Sequence, residues 1–201
     1  MLVIVDYGMG NMRSVEKAFK RINANPIISS KIEDIEKASK LVLPGVGFFK
    51  AGMQKLKEKG LIEVLNKKVI EDKTPILGIC LGMQLFTSYS EEGDCEGLNW
   101  ISAKTKAFDL KKYKVPHMGW NNFQVNLENQ LTNGISEEDT FYFVHSYYVE
   151  CDNMENALCT TEYEIDFHSC IIKDNILGVQ FHPEKSHGAG LKLLSNFISN
   201  Y

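Results

Sequence analysis

Short apolar runs alternate with stretches of helical periodicity from the start of the chain to about residue 89. The run at residues 2–6 ends in a glycine-containing loop and is followed by apolar side chains at helical spacing. Similar runs at residues 26–29, 41–43 and 75–79 are each followed by a helical stretch. This alternation predicts right-handed βαβ crossovers and a parallel sheet covered by helices.

The second half of the chain, from about Gly97, favours antiparallel strands. Its β-rich runs lie at residues 101–108, 122–125, 140–150, 157–161, 169–172 and 176–181. Residues 173–175 give a hairpin signal, and an amphipathic helix closes the chain. Because there is no linker or repeat, we expect one domain over residues 1–201. The predicted fold class is α/β, with a central mixed, mostly parallel sheet flanked by helices and antiparallel strands in the C-terminal half.

Composition argues against several classes of partner and site. The formal net charge of -4 comes without a basic stripe, so neither nucleic acid nor a membrane surface is expected as a partner. The apolar start of the chain meets Asp6 too early for a signal peptide or a membrane span, and we expect a cytoplasmic protein. The five cysteines include no C-x-x-C pair and gain no converging ligand set from the histidines. We therefore expect reduced thiols, no metal and no cofactor.

The sequence Gly78-Ile79-Cys80-Leu81-Gly82 contains a candidate nucleophile. It has the G-x-nucleophile-x-G form of a sharp strand-to-helix turn, in which small residues allow a strained backbone and expose the central side chain. At the start of the following helix, the helix dipole and free N–H groups favour a thiolate, which is the reactive form of cysteine. Taken alone, these residues are equally compatible with a buried core cysteine.

His182-Pro183-Glu184 follows the apolar run at residues 176–181 and supplies two further groups for a catalytic site. Pro183 holds His182 extended, so that His182 and Glu184 project to the same side. A thiol, an imidazole that takes its proton and a carboxylate that orients the imidazole form an acyl-transfer triad. The alternative is an ordinary loop histidine, and the presence of Cys80 in the same chain argues against it.

Acyl transfer also needs hydrogen-bond donors for the developing oxyanion. The loop Gly45-Val46-Gly47 follows a predicted strand of the same sheet, and its two glycines allow backbone N–H groups to point into a site. The N–H of Leu81, next to the nucleophile, is the natural second donor. The loop at residues 8–11 lacks the third glycine and the lysine of nucleotide-binding loops, so we predict no nucleotide site.

Together these motifs resemble those of the class I glutamine amidotransferases. Within that class the chain is similar to the glutaminase subunits of imidazole glycerol phosphate synthase. The class motifs are at residues 44–47, 78–84 and 181–184, and the narrower match adds residues 6–11, 116–121, 145–148 and 184–186. The resemblance covers essentially the whole chain.

The resemblance implies an enzyme that hydrolyses L-glutamine to L-glutamate and ammonia through a thioester on Cys80. His182 and Glu184 would complete its triad. The residues that the resemblance places in the glutamine pocket are Gly47, Gln84, Ser146 and Tyr147.

A partner enzyme is also implied by the resemblance. In such a heterodimer, a cyclase subunit with a (β/α)8 barrel receives the ammonia and makes imidazole glycerol phosphate and an aminoimidazole carboxamide ribotide in histidine biosynthesis. Asn11, Trp120, Tyr142 and Lys185 resemble family positions near the interface. For Tyr142, packing within a strand is an equally good interpretation. A closed passage would keep the ammonia from taking up a proton in water.

Residues 99–104 depart from the family pattern as an exposed-looking segment, which leaves the pathway open. Relatives of such subunits also resemble ammonia suppliers in sugar amidination for surface polysaccharides, and the triad does not separate the two pathways. A stand-alone cysteine hydrolase of the same fold is another alternative. A final alternative is a non-catalytic subunit with a vestigial site, although no triad or pocket residue is missing.

Overall fold

The computed structural model describes residues 1–109 and 111–201 of the chain. The strands are β1 (Leu2–Val5), β2 (Ile27–Ser29), β3 (Lys40–Gly45), β4 (Ile76–Cys80), β5 (Tyr89–Ser90), β6 (Cys95–Glu96), β7 (Ala103–Ala107), β8 (His117–Asn121), β9 (Gln124–Val125), β10 (Phe141–His145), β11 (Tyr147–Cys151), β12 (Ala157–Tyr163), β13 (Ile165–Lys173) and β14 (Ile176–Val179). The α-helices are α1 (Met12–Arg21), α2 (Ile32–Glu36), α3 (Phe49–Glu58), α4 (Leu61–Asn66), α5 (Leu81–Gln84) and α6 (His187–Asn200). Within the described ranges, none of the helices has the length and apolar character needed to cross a membrane.

The centre of the large sheet is parallel. Its strands follow the order β2-β1-β3-β4-β14, and each neighbouring pair runs in the same direction. Beyond β14 the strands β13, β11 and β7 join antiparallel, and β12 and β9 extend from β13. Strands β8 and β10 form a separate antiparallel pair. The predicted α/β class is confirmed, as is the hairpin between β13 and β14.

Both faces of the parallel strands are buried. Successive residues of a strand point to opposite faces, so Val3 and Leu41 join the apolar cluster covered by α3 and α4. Ile4 and Val42 join the cluster covered by α1 and α6. Burial on both faces explains why these strands read as continuous apolar runs in the sequence.

Two predicted helical stretches are shorter in the structure. Residues 49–71 divide at Gly60, whose left-handed φ of 65° separates α3 from α4, and end in a π-turn at Lys67–Glu71. The helix after Cys80 ends at Gln84 rather than continuing to residue 89. It ends there because residues 98–100 donate backbone hydrogen bonds to the carbonyls of residues 85–87.

The prediction of an exposed segment at residues 99–104 is wrong in its central part. Trp100 is 3% exposed and Ile101 is fully buried. The Trp100 ring lies 5.0 Å from that of Phe86, and its Nε1–H donates to Asn66 Oδ1 at 2.7 Å. This segment therefore packs against Phe86 and the end of α4 as part of the apolar core.

The turn from β4 into α5 depends on close backbone packing. A Cβ atom on Gly82 would lie 1.7 Å from the carbonyl oxygen of Leu43, and one on Gly78 would lie 2.5 Å from Phe86 Cε2. Only glycine allows α5 to approach β3 this closely. The pattern of glycines around Cys80 is thus required by the local packing.

We predict that Gly82→Ala lowers the free energy of unfolding by at least about 3 kcal/mol, since the added methyl group meets backbone atoms that cannot move aside. Urea denaturation followed by circular dichroism measures the change. The matched control is Gly188→Ala in α6, where no atom lies within 4 Å of the added Cβ. Equal stability of the two variants would contradict the close contact.

Candidate active site

The candidate residues lie where neighbouring parallel strands end. Strands β1, β3, β4 and β14 are adjacent in the sheet, and their carboxyl ends meet at one edge. The chain leaves these ends at Tyr7, at residues 45–47, at Cys80 and at His182. A crevice at the carboxyl ends of the strands is the usual ligand site of an open α/β sheet.

Cys80 is the last residue of β4 and has a left-handed φ of 54°. This conformation costs on the order of 1–3 kcal/mol for a residue with a side chain, and such strain concentrates at functional sites. Helix α5 begins at the next residue. The thiol is 7% exposed but lines a cavity, so it is both protected and accessible to a small ligand.

His182 and Glu184 form a buried pair beside this cavity. The Nδ1 atom of His182 lies 2.8 Å from Glu184 Oε1, and each side chain is 2% exposed. The His182 N–H donates to the Tyr142 carbonyl at 2.9 Å, which fixes the backbone. The second ring nitrogen, Nε2, is buried without a hydrogen-bond partner, and it is the nitrogen left for the thiol or the substrate.

The electrostatics of the site favour a charged imidazole. Burial alone lowers the pKa of His182, but its interactions with Cys80 and Glu184 outweigh burial and raise the pKa above its ordinary value. A protonated imidazole next to the sulfur stabilises the thiolate, which is the nucleophilic form of cysteine. The arrangement can therefore support nucleophilic attack followed by proton transfer to a leaving group.

The cavity has a volume of about 310 Å³, within the range of small-molecule sites. Its lining brings together Val46, Gly47, Cys80, Leu81, Gln84, Glu92, Pro116, Val144, His145, Ser146, Tyr147 and His182. Gly45 alone of the predicted pocket residues lies behind the wall, where a Cβ would be 2.4 Å from Tyr7 Oη. No three His, Cys, Asp or Glu side chains in the described part of the chain converge as metal ligands.

Three of the four residues predicted near an interface form one group at the surface, in which Tyr142 contacts both Trp120 and Lys185. Trp120 is 48% exposed, and its ring lies 5.9 Å from that of Tyr142. Lys185 Nζ lies 5.4 Å from the Tyr142 ring centroid, and His187 stacks on Trp120 at 5.0 Å. We call Trp120, Tyr142, Lys185 and His187 the aromatic face. Asn11 is outside these contacts and caps α1.

Comparison with known proteins agrees with this geometry. The family model described as glutamine amidotransferase class-I matches residues 3–200, nearly the whole chain. The chain belongs to the class I glutamine amidotransferases. The resemblance of its motifs to that class is thereby confirmed.

Relatives of this class I glutamine amidotransferase carry a more specific name. The chain is 56% identical over 199 residues to "imidazole glycerol phosphate synthase subunit HisH 2" of Methanococcus maripaludis, with 98% of each chain covered. It is 45% identical over 199 residues to the HisH 2 subunit of Pseudomonas aeruginosa, again with 98% of each chain covered. The crystal structure of a glutamine amidotransferase from Thermotoga maritima has a similar fold, with a TM-score of 0.67 and 16% identity over 98% of this chain and 95% of that one.

Two residues at the site of this amidotransferase, one in the cavity wall and one buried behind Cys80, escaped the sequence analysis. Glu92 lines the cavity, and its Oε2 accepts the Phe49 N–H at 2.7 Å; burial raises the pKa of Glu92. Gln180 is fully buried, and its Nε2–H donates to Cys80 Sγ at 3.7 Å. Glu92 gave no signal because it lies in an acidic turn far from any motif. Gln180 could have been found from its place just before residues 181–184.

We predict that Glu184→Gln lowers the pKa of His182, because an amide replaces the carboxylate that stabilises the charged imidazole. A hydrogen bond to a charged group contributes about 1.5–3 kcal/mol, which corresponds to roughly one to two pKa units. Titration of the His182 ring protons by NMR measures the change. Glu16→Gln, which changes a carboxylate on α1 that pairs with Lys20 outside the cavity, is the control and should leave the His182 titration unchanged.

Proposed function

We propose that this chain is the glutaminase subunit of an imidazole glycerol phosphate synthase, with residues 1–201 acting as one glutamine amidotransferase domain. The array of Cys80 and His182 on one small cavity, with Glu184 hydrogen-bonded behind His182, carries the proposal. The family membership and the 56% identity to a HisH subunit support the pathway. The activity is hydrolysis of L-glutamine to L-glutamate and ammonia, with the ammonia used in histidine biosynthesis.

The chemistry proceeds by acyl transfer to sulfur. The Cys80 thiolate attacks the carboxamide carbon of glutamine, and the developing oxyanion is held by backbone N–H groups of Leu81 and the Val46–Gly47 loop. The C–N bond breaks as His182 gives its proton to the departing ammonia. Water, deprotonated by His182, then cleaves the glutamyl thioester and releases glutamate. Glu184 keeps the imidazole oriented through both steps.

The cavity wall also contains a carboxylate that can bind the amino-acid end of the substrate. L-glutamine carries an α-ammonium group, and Glu92 is an acidic side chain in the wall. Because its Oε2 is held by the Phe49 N–H, the Oε1 oxygen remains for the ammonium. Ser146 and Tyr147, where β10 passes into β11, line the same cavity and supply polar groups for the α-carboxylate. Glu92, Ser146 and Tyr147 thus hold the amino-acid end of the substrate, while its carboxamide end faces Cys80.

The partner in this proposal is a cyclase subunit with a (β/α)8 barrel. The aromatic face is the docking surface, since an exposed Trp packed on a Tyr beside a cation is typical of interface hot spots. The backbone of Tyr142 contacts His182, so this surface lies close to the catalytic groups. Ammonia released there can enter the partner without crossing bulk water, where it would be protonated.

We predict that Cys80→Ala abolishes glutamate release by the complex with the cyclase, whereas Cys95→Ala retains it. Cys95 is partly exposed, and its thiol donates to the carbonyl of Glu96, away from the cavity. A coupled glutamate assay with saturating cyclase measures both. Turnover in Cys80→Ala would contradict the assignment. Full hydrolysis by the isolated wild-type chain would instead favour a stand-alone hydrolase of the same fold.

We predict that Trp120→Ala weakens binding to the cyclase by about 30-fold or more, the loss expected of a hot-spot aromatic side chain worth 2 kcal/mol or more. Isothermal titration calorimetry measures the affinity. Met154→Ala is the control, because Met154 is also exposed, at 60%, but lies outside the aromatic face. Equal affinities of the two variants would show that the cyclase does not dock on the aromatic face.

A further inference from the structure

Two buried histidines, His117 and His145, take no part in the proposed chemistry. They are 3% and 6% exposed, and His117 Nδ1 lies 3.0 Å from His145 Nε2. His117 begins β8 and His145 ends β10, and the two residues face each other in the ladder between these strands. In such a pair, each imidazole nitrogen must be either a donor or an acceptor.

The neighbours of the pair determine where each proton lies. His145 Nδ1 is 2.8 Å from the Tyr147 carbonyl oxygen, which can only accept, so Nδ1 carries the hydrogen. If His145 is neutral, its Nε2 accepts from the Nδ1–H of His117. His117 Nε2 then accepts from Asn121 Nδ2, at 3.5 Å. Burial lowers the pKa of His117 to about 4 and that of His145 to about 3, which keeps both rings neutral.

The hydrogen bonds continue from Tyr147 to the thiol. Gln84 Nε2 donates to the Tyr147 carbonyl at 3.1 Å and to Gln180 Oε1 at 3.0 Å. Gln180 Nε2 donates to Cys80 Sγ at 3.7 Å. Exchanging the oxygen and nitrogen of the Gln84 amide would place its oxygen against the Tyr147 carbonyl oxygen and Gln180 Oε1. The orientation of the amide is therefore determined by these contacts. We call Asn121, His117, His145, the Tyr147 carbonyl, Gln84, Gln180 and Cys80 the polar chain.

We propose that His117 and His145 are positioning residues, which hold Cys80 in its reactive place through the polar chain. The inference deepens the proposed function and rests on Cys80 being the nucleophile. The last link directs an N–H group at the sulfur, and such a bond is stronger to a thiolate than to a thiol. Loss of the His145 donor would leave the Tyr147 carbonyl with one partner and weaken the anchor of the Gln84 amide.

The surroundings of His117 hold its ring in one orientation. It stacks on Tyr163 with 3.9 Å between ring centroids and on Phe143 with 4.8 Å. A phenyl ring could fill this slot but could not transmit a hydrogen bond. The outer end of the polar chain lies beside the aromatic face, because Asn121 follows Trp120 in β8. A partner bound there would touch the strand that begins with His117.

The first test reads the tautomers directly in the wild-type chain. Long-range proton–nitrogen NMR spectra of histidine-labelled protein at neutral pH should show the Nδ1–H tautomer for both His117 and His145. The Nε2–H form is the commoner one for a free imidazole, so the result is not expected by default. An Nε2–H tautomer or a charged ring at either position would overturn the proposal.

The second test measures the reactivity of the thiol in this chain alone. We expect His117→Phe to slow alkylation of Cys80 by iodoacetamide about five-fold, the factor that one net hydrogen bond represents. Peptide mass spectrometry identifies the alkylated residue. His117→Asn, which keeps an N–H group near the position of Nδ1, should restore most of the rate.

The control for this test is His168→Phe. His168 is a partly buried histidine outside the polar chain, and its Nδ1 accepts the Cys151 N–H at 2.9 Å. It should lose thermal stability without a change in Cys80 alkylation. A wild-type rate in folded His117→Phe, or an equal loss in His168→Phe, would remove the positioning role.

The outcome also separates this inference from the proposed function. Inactive Cys80→Ala together with normal alkylation of His117→Phe would leave the glutaminase and remove the positioning role. If His117→Phe does not fold, the wild-type NMR measurement still tests the hydrogen-bond directions on which the positioning role depends.

Discussion

The parallel pairing of β4 with β14 is the constraint on which the rest of the site depends. It sets Ile79 opposite Val179, so that Cys80 and His182 leave the sheet side by side although they are far apart in sequence. A slip of one residue would turn the buried side chains of β14 to the wrong face of the sheet. Because both faces are buried, the apolar cores on the two sides hold this register and, with it, the distance between thiol and imidazole.

Burial of the His182–Glu184 pair has a cost that the fold must offset. Removing both groups from water disfavours their charges, and only their mutual contact and the neighbouring sulfur restore the charged imidazole. Glu184 Oε2 is left buried without a partner. A buried polar atom without a partner lowers the stability of the fold. A contribution to stability therefore does not explain the pair. The catalytic role in the proposed function accounts for the presence of such a pair.

The sequence predicted the parts of the site that local signals encode, and the glycines around Cys80 and Pro183 after His182 are such signals. It missed what only tertiary contacts create. Glu92 reaches the cavity because its turn follows β5, which pairs with β7 across the sheet. The link from His117 to His145 arises only when β8 pairs with β10. Trp100 looked exposed because the side chains that cover it, Phe86 and Asn66, are distant in sequence.

The β8–β10 pair connects the aromatic face with the cavity that contains Cys80. Along β10, Phe141, Phe143 and His145 face the interior, while Tyr142 lies on the aromatic face. The strand then passes directly into Ser146 and Tyr147 of the cavity wall. From Tyr142 to Tyr147 the chain spans only about 17 Å if extended. In the proposed complex, a partner bound to the outside of this strand would act on a short, hydrogen-bonded element whose other end lines the cavity, so that no large movement is needed to connect docking with hydrolysis.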